Sequence, residues 1–420
     1  MMKKLREKLT PVELAWVLYD VGNSAFTMLA CSLIPIWFKE LAAGHLSSDD
    51  ATGAWALGVS LVTVIVALMG PVCGALSDRR EMKLIFFRTS VFIGAACCVI
   101  NGFASSWLLF LVVFIVAKIA YSCSLTFYDS MLGDVTEEAR MDEVSSYGYA
   151  WGYIGSCIPF AVVLVFYVLG PDMLGVISGF ISKLVGFAVT AAWWLAVTVP
   201  LLRRYKQRNC TERQPHAVRS AFKKLGVTVK RIATEDKKVL WFLLAFFLYI
   251  DGVGTIIDNC INIGTDLGLD TVGQVVVLLA TQVVAWIFSL VFARLSRKYS
   301  TVRLLGVCII GYFLICLYAF TLKSMLQFGI MAFGVGMFQG SIQSLSRSYF
   351  TKIIPPENSG EYFGIYDIFS KGASFLGSGV IAAVKFAGGT INIAVGLMAF
   401  FFAAGWLLLK VADRQPGRQG

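Results

Sequence analysis

Histidine is nearly missing from this chain, with only His45 and His216 among 420 residues. Both lie outside the long apolar runs, so a histidine-centred catalytic triad or metal site within those runs is excluded. Charge is scarce too, at 15% of residues against 57% hydrophobic ones, with a mean hydropathy of +0.74. A water-soluble domain carries about a quarter charged residues, so a soluble reading fails. No G-x-x-x-x-G-K-[ST] phosphate loop occurs, which argues against an intrinsic ATPase. The ten cysteines, among them Cys97, Cys98, Cys123, Cys157 and Cys308, show no paired zinc or disulfide spacing and read as small packing residues. Neither a cofactor nor a metal is expected, and no segment is left over for a separate catalytic domain.

What is present is hydrophobic length. A bilayer crossing needs about 20 apolar residues. Windows of that size place spans near 13–38, 54–76, 84–104, 106–128, 144–169 and 183–202, then near 239–263, 272–294, 302–321, 325–346, 361–384 and 389–410. The N-terminal MMKKLREKLT looks like the start of a signal peptide. The apolar segment behind it is long, carries Asp20 and Asn23 and lacks a small-residue cleavage site, so it is expected to stay as the first span.

Lysine and arginine collect in loops that do not cross. They cluster at Lys3, Lys4, Arg6 and Lys8, at Arg79, Arg80 and Lys83, and twelve times between Leu202 and Val239. The connection 264–273 has none and carries Asp266 and Asp270. This alternation predicts both termini in the cytoplasm, and the net charge of +10 becomes a cytoplasmic collar facing anionic lipid headgroups rather than nucleic acid. The expected organisation is a six-helix bundle over 1–202, a basic cytoplasmic linker over 203–238 and a second six-helix bundle over 239–420. The two halves echo one another: Tyr19-Asp20-x-x-Asn23-Ser24 in span one against Tyr249-Ile250-Asp251-Gly252 in span seven, and Asp129–Glu138 after span four against Arg347–Glu357 after span ten.

Ionisable residues inside spans cost a few kcal/mol and should face inward. Asp20, Asn23, Ser24 and Thr27 share one helical face, as do Asp251, Thr255, Asp258, Asn259 and Asn262. Two readings stand: a polar seam between helices, or the lining of a wet chamber that binds solute and proton. Span four adds Lys118, Ser122 and Thr126; span ten adds Gln339, Gln343 and Arg347; span eleven adds Asp367, Ser370, Lys371 and Ser374. Asp367 and Lys371 are four apart and can pair with each other. Lys118 has no acid four residues away and is the leading candidate for a substrate-binding cation. Proton-linked exchange of access at Asp251 is the expected mechanism. Glycines spaced by four, Gly70/Gly74, Gly148/Gly152 and Gly336/Gly340, suit close contacts between helices that rock.

Gly74-Ala-Leu-Ser-Asp78-Arg79-Arg80-Glu81-Met-Lys83 resembles the major facilitator superfamily loop G-x-L-x-D-R-x-G-x-[KR], with Glu81 where the glycine belongs. The resemblance implies a gate at Asp78 and Arg79, and Arg347 is taken as a further gate candidate. The matching loop of the second half, Arg294-Leu-Ser-Arg297-Lys298, lacks the acid, so the gate is expected to be lopsided. The ordered set Tyr19–Phe26, Phe127–Leu132, Gly152–Gly155, Asp251–Ile257 and Gln343–Phe350 with Pro355, Glu361 and Phe363-Gly364 is similar to the vacuole-effluxer-like, or autophagy-related permease, family. Asp129, in place of the family's usual asparagine, and the pair Asp258-Asn259 depart from it. The resemblance implies an all-α membrane protein of twelve helices in two bundles, working by alternating access on a small polar or zwitterionic, amino-acid-like solute. Proton coupling, a monomeric state and a multi-pass place in a bacterial inner membrane complete the expectation. A channel or non-transporting scaffold, and an intramembrane aspartyl enzyme built on Asp251 and Asp258, are the rivals.

Overall fold

The computed structural model describes residues 8–168, 179–212, 217–260, 263–264, 268, 271–371 and 375–416. Lys3, Lys4, Arg6, His216, Asn262, Asp266, Asp270 and Ser374 lie outside the described residues. Helices make up nearly everything, and among the described residues the extended pairing amounts to one isolated bridge, Arg79 with Thr211. Hydrocarbon offers no partners to backbone groups, so a chain this apolar must satisfy them inside its own segments.

In chain order the helices are α1 (Pro11–Cys31), α2 (Leu33–Ala42), α3 (Ser48–Ser77), α4 (Met82–Phe103), α5 (Trp107–Ser130), α6 (Met141–Val168) and α7 (Gly179–Arg204). Next comes α8 (Ala217–Thr234), in the linker. The second half holds α9 (Lys237–Asp258), α10 (Thr271–Leu295), α11 (Thr301–Ala319), α12 (Met325–Ile353), α13 (Ser359–Lys371), α14 (Phe375–Phe386), α15 (Ile391–Leu397) and α16 (Ala399–Arg414).

Helix ends extend past the hydropathy windows because capping, not apolarity, sets them. At α1 the Thr10 hydroxyl accepts the Glu13 N–H while the Glu13 carboxylate accepts the Thr10 N–H, and Pro11 sits where its missing N–H costs nothing. At α3 the Ser47 side chain accepts the Asp50 N–H, and Asp49 and Asp50 sit at the positive end of the helix dipole. The window over 54–76 therefore began six residues late.

Eleven stretches among the described residues are long and apolar enough to cross a membrane. The span predicted over 361–384 is not one of them. It is carried by α13 and α14, on either side of residues 372–374, which lie outside the described residues. Leu57, Leu68, Leu326 and Phe400 are exposed on the outer faces of their helices, a surface suited to acyl chains rather than water.

Two apolar cores form. One gathers buried residues from Leu9 to Tyr205 together with Ala293, around Trp16, Phe26, Trp37, Phe87, Tyr128 and Trp194. The other runs from Ile232 to Ala412, around Phe242, Tyr249, Tyr312, Phe350 and Phe402. Between them α3 packs on α13, and α6 on α10 and α12. Small residues permit the closest of these approaches: a Cβ on Gly74 would strike the Gly360 backbone, and one on Gly364 the backbone of Gly70 and Pro71. Of the other paired glycines, Gly148 and Gly152 let α6 close onto α1, while Gly336 and Gly340 let α12 close onto α10.

Candidate functional site

Arg347 is the most heavily engaged charge in the interior. It belongs to α12 of the second half and is 2% exposed, yet its partners all lie in the first half. Nε donates to Ser145 Oγ at 2.9 Å and Nη2 to the Ser145 carbonyl at 3.1 Å, both on α6. Nη1 donates to Asp129 Oδ1 at 2.9 Å at the end of α5, and Nη2 reaches Asp20 Oδ2 of α1 at 3.4 Å. The guanidinium centre lies 4.5 Å from the Trp16 ring, 4.7 Å from Tyr149 and 5.4 Å from Tyr128. Planarity and delocalisation suit arginine to such a sandwich of rings and carboxylates. Trp16 is itself fixed, stacked on Tyr128 at 4.4 Å and donating its indole N–H to the Tyr128 carbonyl. Gly148 leaves room on α6 for the Asp20 carboxylate. Asn23 donates to Asp20 Oδ1 at 3.1 Å, holding the second oxygen.

A second cluster closes the end of the molecule that carries the basic connections. Asp78, fully buried after the last turn of α3, accepts the N–H groups of Gly360 at 2.7 Å and Glu361 at 2.9 Å, in the first turn of α13. A helix N-terminus offers unsatisfied donors and a partial positive charge, so a carboxylate from the other half caps it. Lys83, also fully buried, lies 3.5 Å from Asp78 and 3.9 Å from Asp134, and donates to Ser359 Oγ at 2.7 Å. Burial pushes the Asp78 carboxyl up to about 6, against the downward pull of Lys83 and of the two N–H groups. Glu81 sits at φ 66°, the left-handed turn that the loop's expected glycine would make without strain. The linker docks here as well. The Thr211 N–H donates to the Asp78 carbonyl at 2.8 Å, and Asp134 accepts the Tyr205 hydroxyl at 2.5 Å and the Asn209 N–H at 2.9 Å. From α8, Lys224 lies 3.4 Å from the buried Glu361.

The matching loop of the second half closes differently. Arg297 Nη2 lies 2.5 Å from Glu143 Oε1, in the first turn of α6. Beside it Asp142 accepts Thr301 Oγ1 at 2.6 Å, Ser348 Oγ at 2.5 Å and Lys352 Nζ at 2.8 Å. The lost acid of that loop thus has a substitute on the facing helix.

The remaining candidates lie outside these clusters. Asp251 is fully buried and accepts the N–H groups of Leu376 at 3.1 Å and Gly377 at 2.7 Å, in the first turn of α14. The Thr255 hydroxyl next to it is buried without a hydrogen-bond partner among the described residues, and Asn259 donates back to the Thr255 carbonyl at 2.9 Å. Asp258, two turns beyond Asp251, is exposed. Lys371 pairs with Asp367 at 2.7 Å, and Asp367 also accepts the Thr126 hydroxyl. Gln343 donates to the Gln339 carbonyl at 3.0 Å, and Gln339 is buried. Arg79 meets the linker through its backbone bridge to Thr211, and Lys83 faces Asp78. Lys118 is half-buried, with Nζ 5.2 Å from the Tyr121 ring and 5.9 Å from Phe26, and it forms no ion pair among the described residues. Thr27 and Tyr121 hydroxyls are 2.6 Å apart beneath it. Lys118 and Asp258 both act electrostatically on the exposed Cys31, which places the three around one region.

The structure therefore joins Asp20 to Arg347 and leaves Lys118 with Asp258 in a separate, more open group. Asp129, Lys83 and Glu143 were not chosen from the sequence as site residues. Two of them had a signal there: Asp129, standing where asparagine was expected, and Lys83, the last position of the loop pattern.

The family described as "Vacuole effluxer Atg22 like" matches residues 133–420. The MFS-type transporter YxiO of Bacillus subtilis is 37% identical over 415 residues, 98% of this chain and 97% of that protein. Autophagy-related protein 22 of Botryotinia fuckeliana is 26% identical over 310 residues, 66% of this chain and 51% of that protein. The chain spans about half the length of that fungal relative. Among solved structures, FucP in the outward conformation aligns with a TM-score of 0.75 at 16% identity, covering 98% of this chain and all of that one. The proton:xylose symporter XylE aligns at 0.71 and 12% identity, covering 97% and 95%.

Proposed function

We propose that this chain, which belongs to the vacuole effluxer Atg22-like family of major facilitator transporters, moves a small polar or zwitterionic solute by alternating access with proton coupling. As a multi-pass membrane transporter of that superfamily it has two halves to rock. The observation that carries the reading is Arg347, a charge owned by one half and neutralised entirely by the other. Such a contact is a two-state element: intact it holds the halves together, and broken it must be compensated by water. The division proposed is 1–202 and 239–420, joined by 203–238, with twelve crossings and the basic end in the cytoplasm. On that orientation the Asp78 and Glu143 contacts close the cytoplasmic side, and the present state is outward-facing.

Solute binding is assigned to the group that the closure contacts leave open. Lys118 supplies a cation for a carboxylate, the rings of Phe26 and Tyr121 supply an apolar wall, and exposed Asp258 supplies an anion for an amine. Opposite charges on one wall suit a zwitterion. Gln339 and Gln343 add neutral polar contacts from α12. Asp251 takes a positioning role, seating the start of α14, while Thr255 and Asn259 stay within reach of the chamber. The protein acts as a monomer among anionic lipids.

Counterflow tests this directly. Proteoliposomes preloaded with an unlabelled amino-acid mixture should accumulate labelled amino acid transiently without energy, and Lys118→Ala should raise the half-saturating concentration about tenfold or more, the loss of a charge-assisted contact. No exchange of any amino acid by folded protein would remove the reading and leave a scaffold.

A further inference from the structure

The strongest unassigned feature is the composition of the Arg347 cluster. Asp20 and Asp129 contribute two formal negative charges and Arg347 one positive. All three are largely out of water, with side-chain exposures of 10%, 17% and 3%. An uncompensated charge in such a place is expensive, and two carboxylates around one guanidinium hold one more negative charge than the cation can balance. Resting on the transport reading above, we propose that Asp129 is the seat of the coupling proton, with Asp20 as the permanently ionised partner of Arg347.

Geometry separates the two acids. Both Asp20 oxygens are committed, Oδ1 to the Asn23 amide and Oδ2 to Arg347. Asp129 commits Oδ1 to Arg347, and among the described residues its Oδ2 has no partner, which is where a proton fits. Asp129 is also the more exposed of the pair, so it can exchange with water. A second feature points to the same place. The Tyr128 ring lies 5.4 Å from the Arg347 guanidinium and its buried hydroxyl faces Asp20, a donor for the acid that stays ionised.

Every packed element contributes charged or titratable neighbours to the balance: Asp20 on α1, Tyr128 on α5, Tyr149 and Tyr153 on α6, Arg347 on α12, and Asp367 with Tyr366 on α13. Asp367 is already balanced by Lys371. The step is a simple dissociation: when the halves part, Arg347 leaves, water enters, the Oδ2–H bond of Asp129 breaks and the proton passes to water. Closure restores the desolvated trio and takes the proton up again.

Infrared difference spectroscopy on purified full-length protein in lipid reads the proton itself. Wild type at neutral pH should show a protonated-carboxyl band that disappears in Asp129→Asn, persists in Asp20→Asn and is displaced in Asp129→Glu. In proteoliposomes, an imposed pH gradient should accelerate amino-acid flux severalfold in wild type and not at all in Asp129→Asn. A carboxyl band unchanged by Asp129→Asn, or acceleration retained in it, overturns this assignment. Absence of flux in wild type overturns the transport reading instead and leaves the band to decide here. Should Asp129→Asn fail to fold, Asp129→Glu carries the test, since an unshifted band there is equally contradictory.

Discussion

The α3–α4 and α10–α11 loops both join the two halves, with opposite chemistry. At the first, Asp78 is fully buried and grips backbone, accepting two N–H groups of α13 while Lys83 sits buried beneath it. At the second, Arg297 is more than half exposed and grips a side chain, Glu143 of α6. Grip on backbone needs no partner side chain from α13, whereas grip on a side chain can be lost from either end. Burial also sets the energetic rank: a buried carboxylate removed from beside a buried lysine leaves a stranded charge, while an exposed ion pair is screened by water. Where the missing acid led to the expectation of a lopsided gate, the two contacts differ in depth.

The comparison breaks most visibly at Asp78. Asp78→Ala should cost the closed state about 3–5 kcal/mol, because Lys83 and two α13 donors lose their partner together. Chemical labelling of a cysteine introduced at Ser77, fully buried at this contact, should change from protected to accessible. The same carboxyl makes closure depend on pH. Its value is raised to about 6 when closed from an ordinary 3.8 when hydrated, so the closed state binds the proton more tightly. That contribution is full below about pH 4 and disappears as pH rises through about 6. Labelling at a fixed exposed reporter should therefore slow as pH is lowered from 7 to 5, and Asp78→Asn should flatten this component.

The second loop should respond weakly. Arg297→Ala is expected to shift closure by no more than about 1 kcal/mol, and high salt should mimic most of it in wild type. Smallest is Glu81, whose left-handed backbone strains a side chain that glycine would not have. Glu81→Gly should raise thermal stability by a few tenths to about 1 kcal/mol, the relief of strain offset by the greater freedom of an unfolded glycine. A loss of stability on that substitution would show that the Glu81 side chain holds the turn by contacts of its own.

Helical periodicity made the inward faces legible. Asp20 with Asn23 and Thr27, and Asp251 with Thr255, fall on inward faces because a residue three or four along returns to the same side of a helix. Which face meets which is a tertiary matter that no local spacing encodes. Asp20 and Arg347 are 327 residues apart, and Asp251 finds its donors 125 and 126 residues away, on backbone groups that carry no side-chain signature at all. Asp251 reads from the chain as a free acid for that reason, though its carboxylate caps a helix. Lys83 sat at the last position of the recognised loop pattern, but the pattern alone does not say that this base turns inward to Asp78. The span over 361–384 read as one apolar window because both α13 and α14 are apolar, and the N–H groups that Asp251 accepts carry no hydropathy signal.

Two arrangements of the halves, one of them held shut through Arg347 and Asp78, form the centre of this account. Pulsed electron-spin distance measurements between labels at Arg80 and Lys298, exposed positions on opposite halves of the basic end, read that arrangement in lipid. Two distance populations are expected, the shorter dominating in wild type and the longer in Arg347→Ala. One narrow distance, unmoved by Arg347→Ala and by Asp78→Ala, would contradict it.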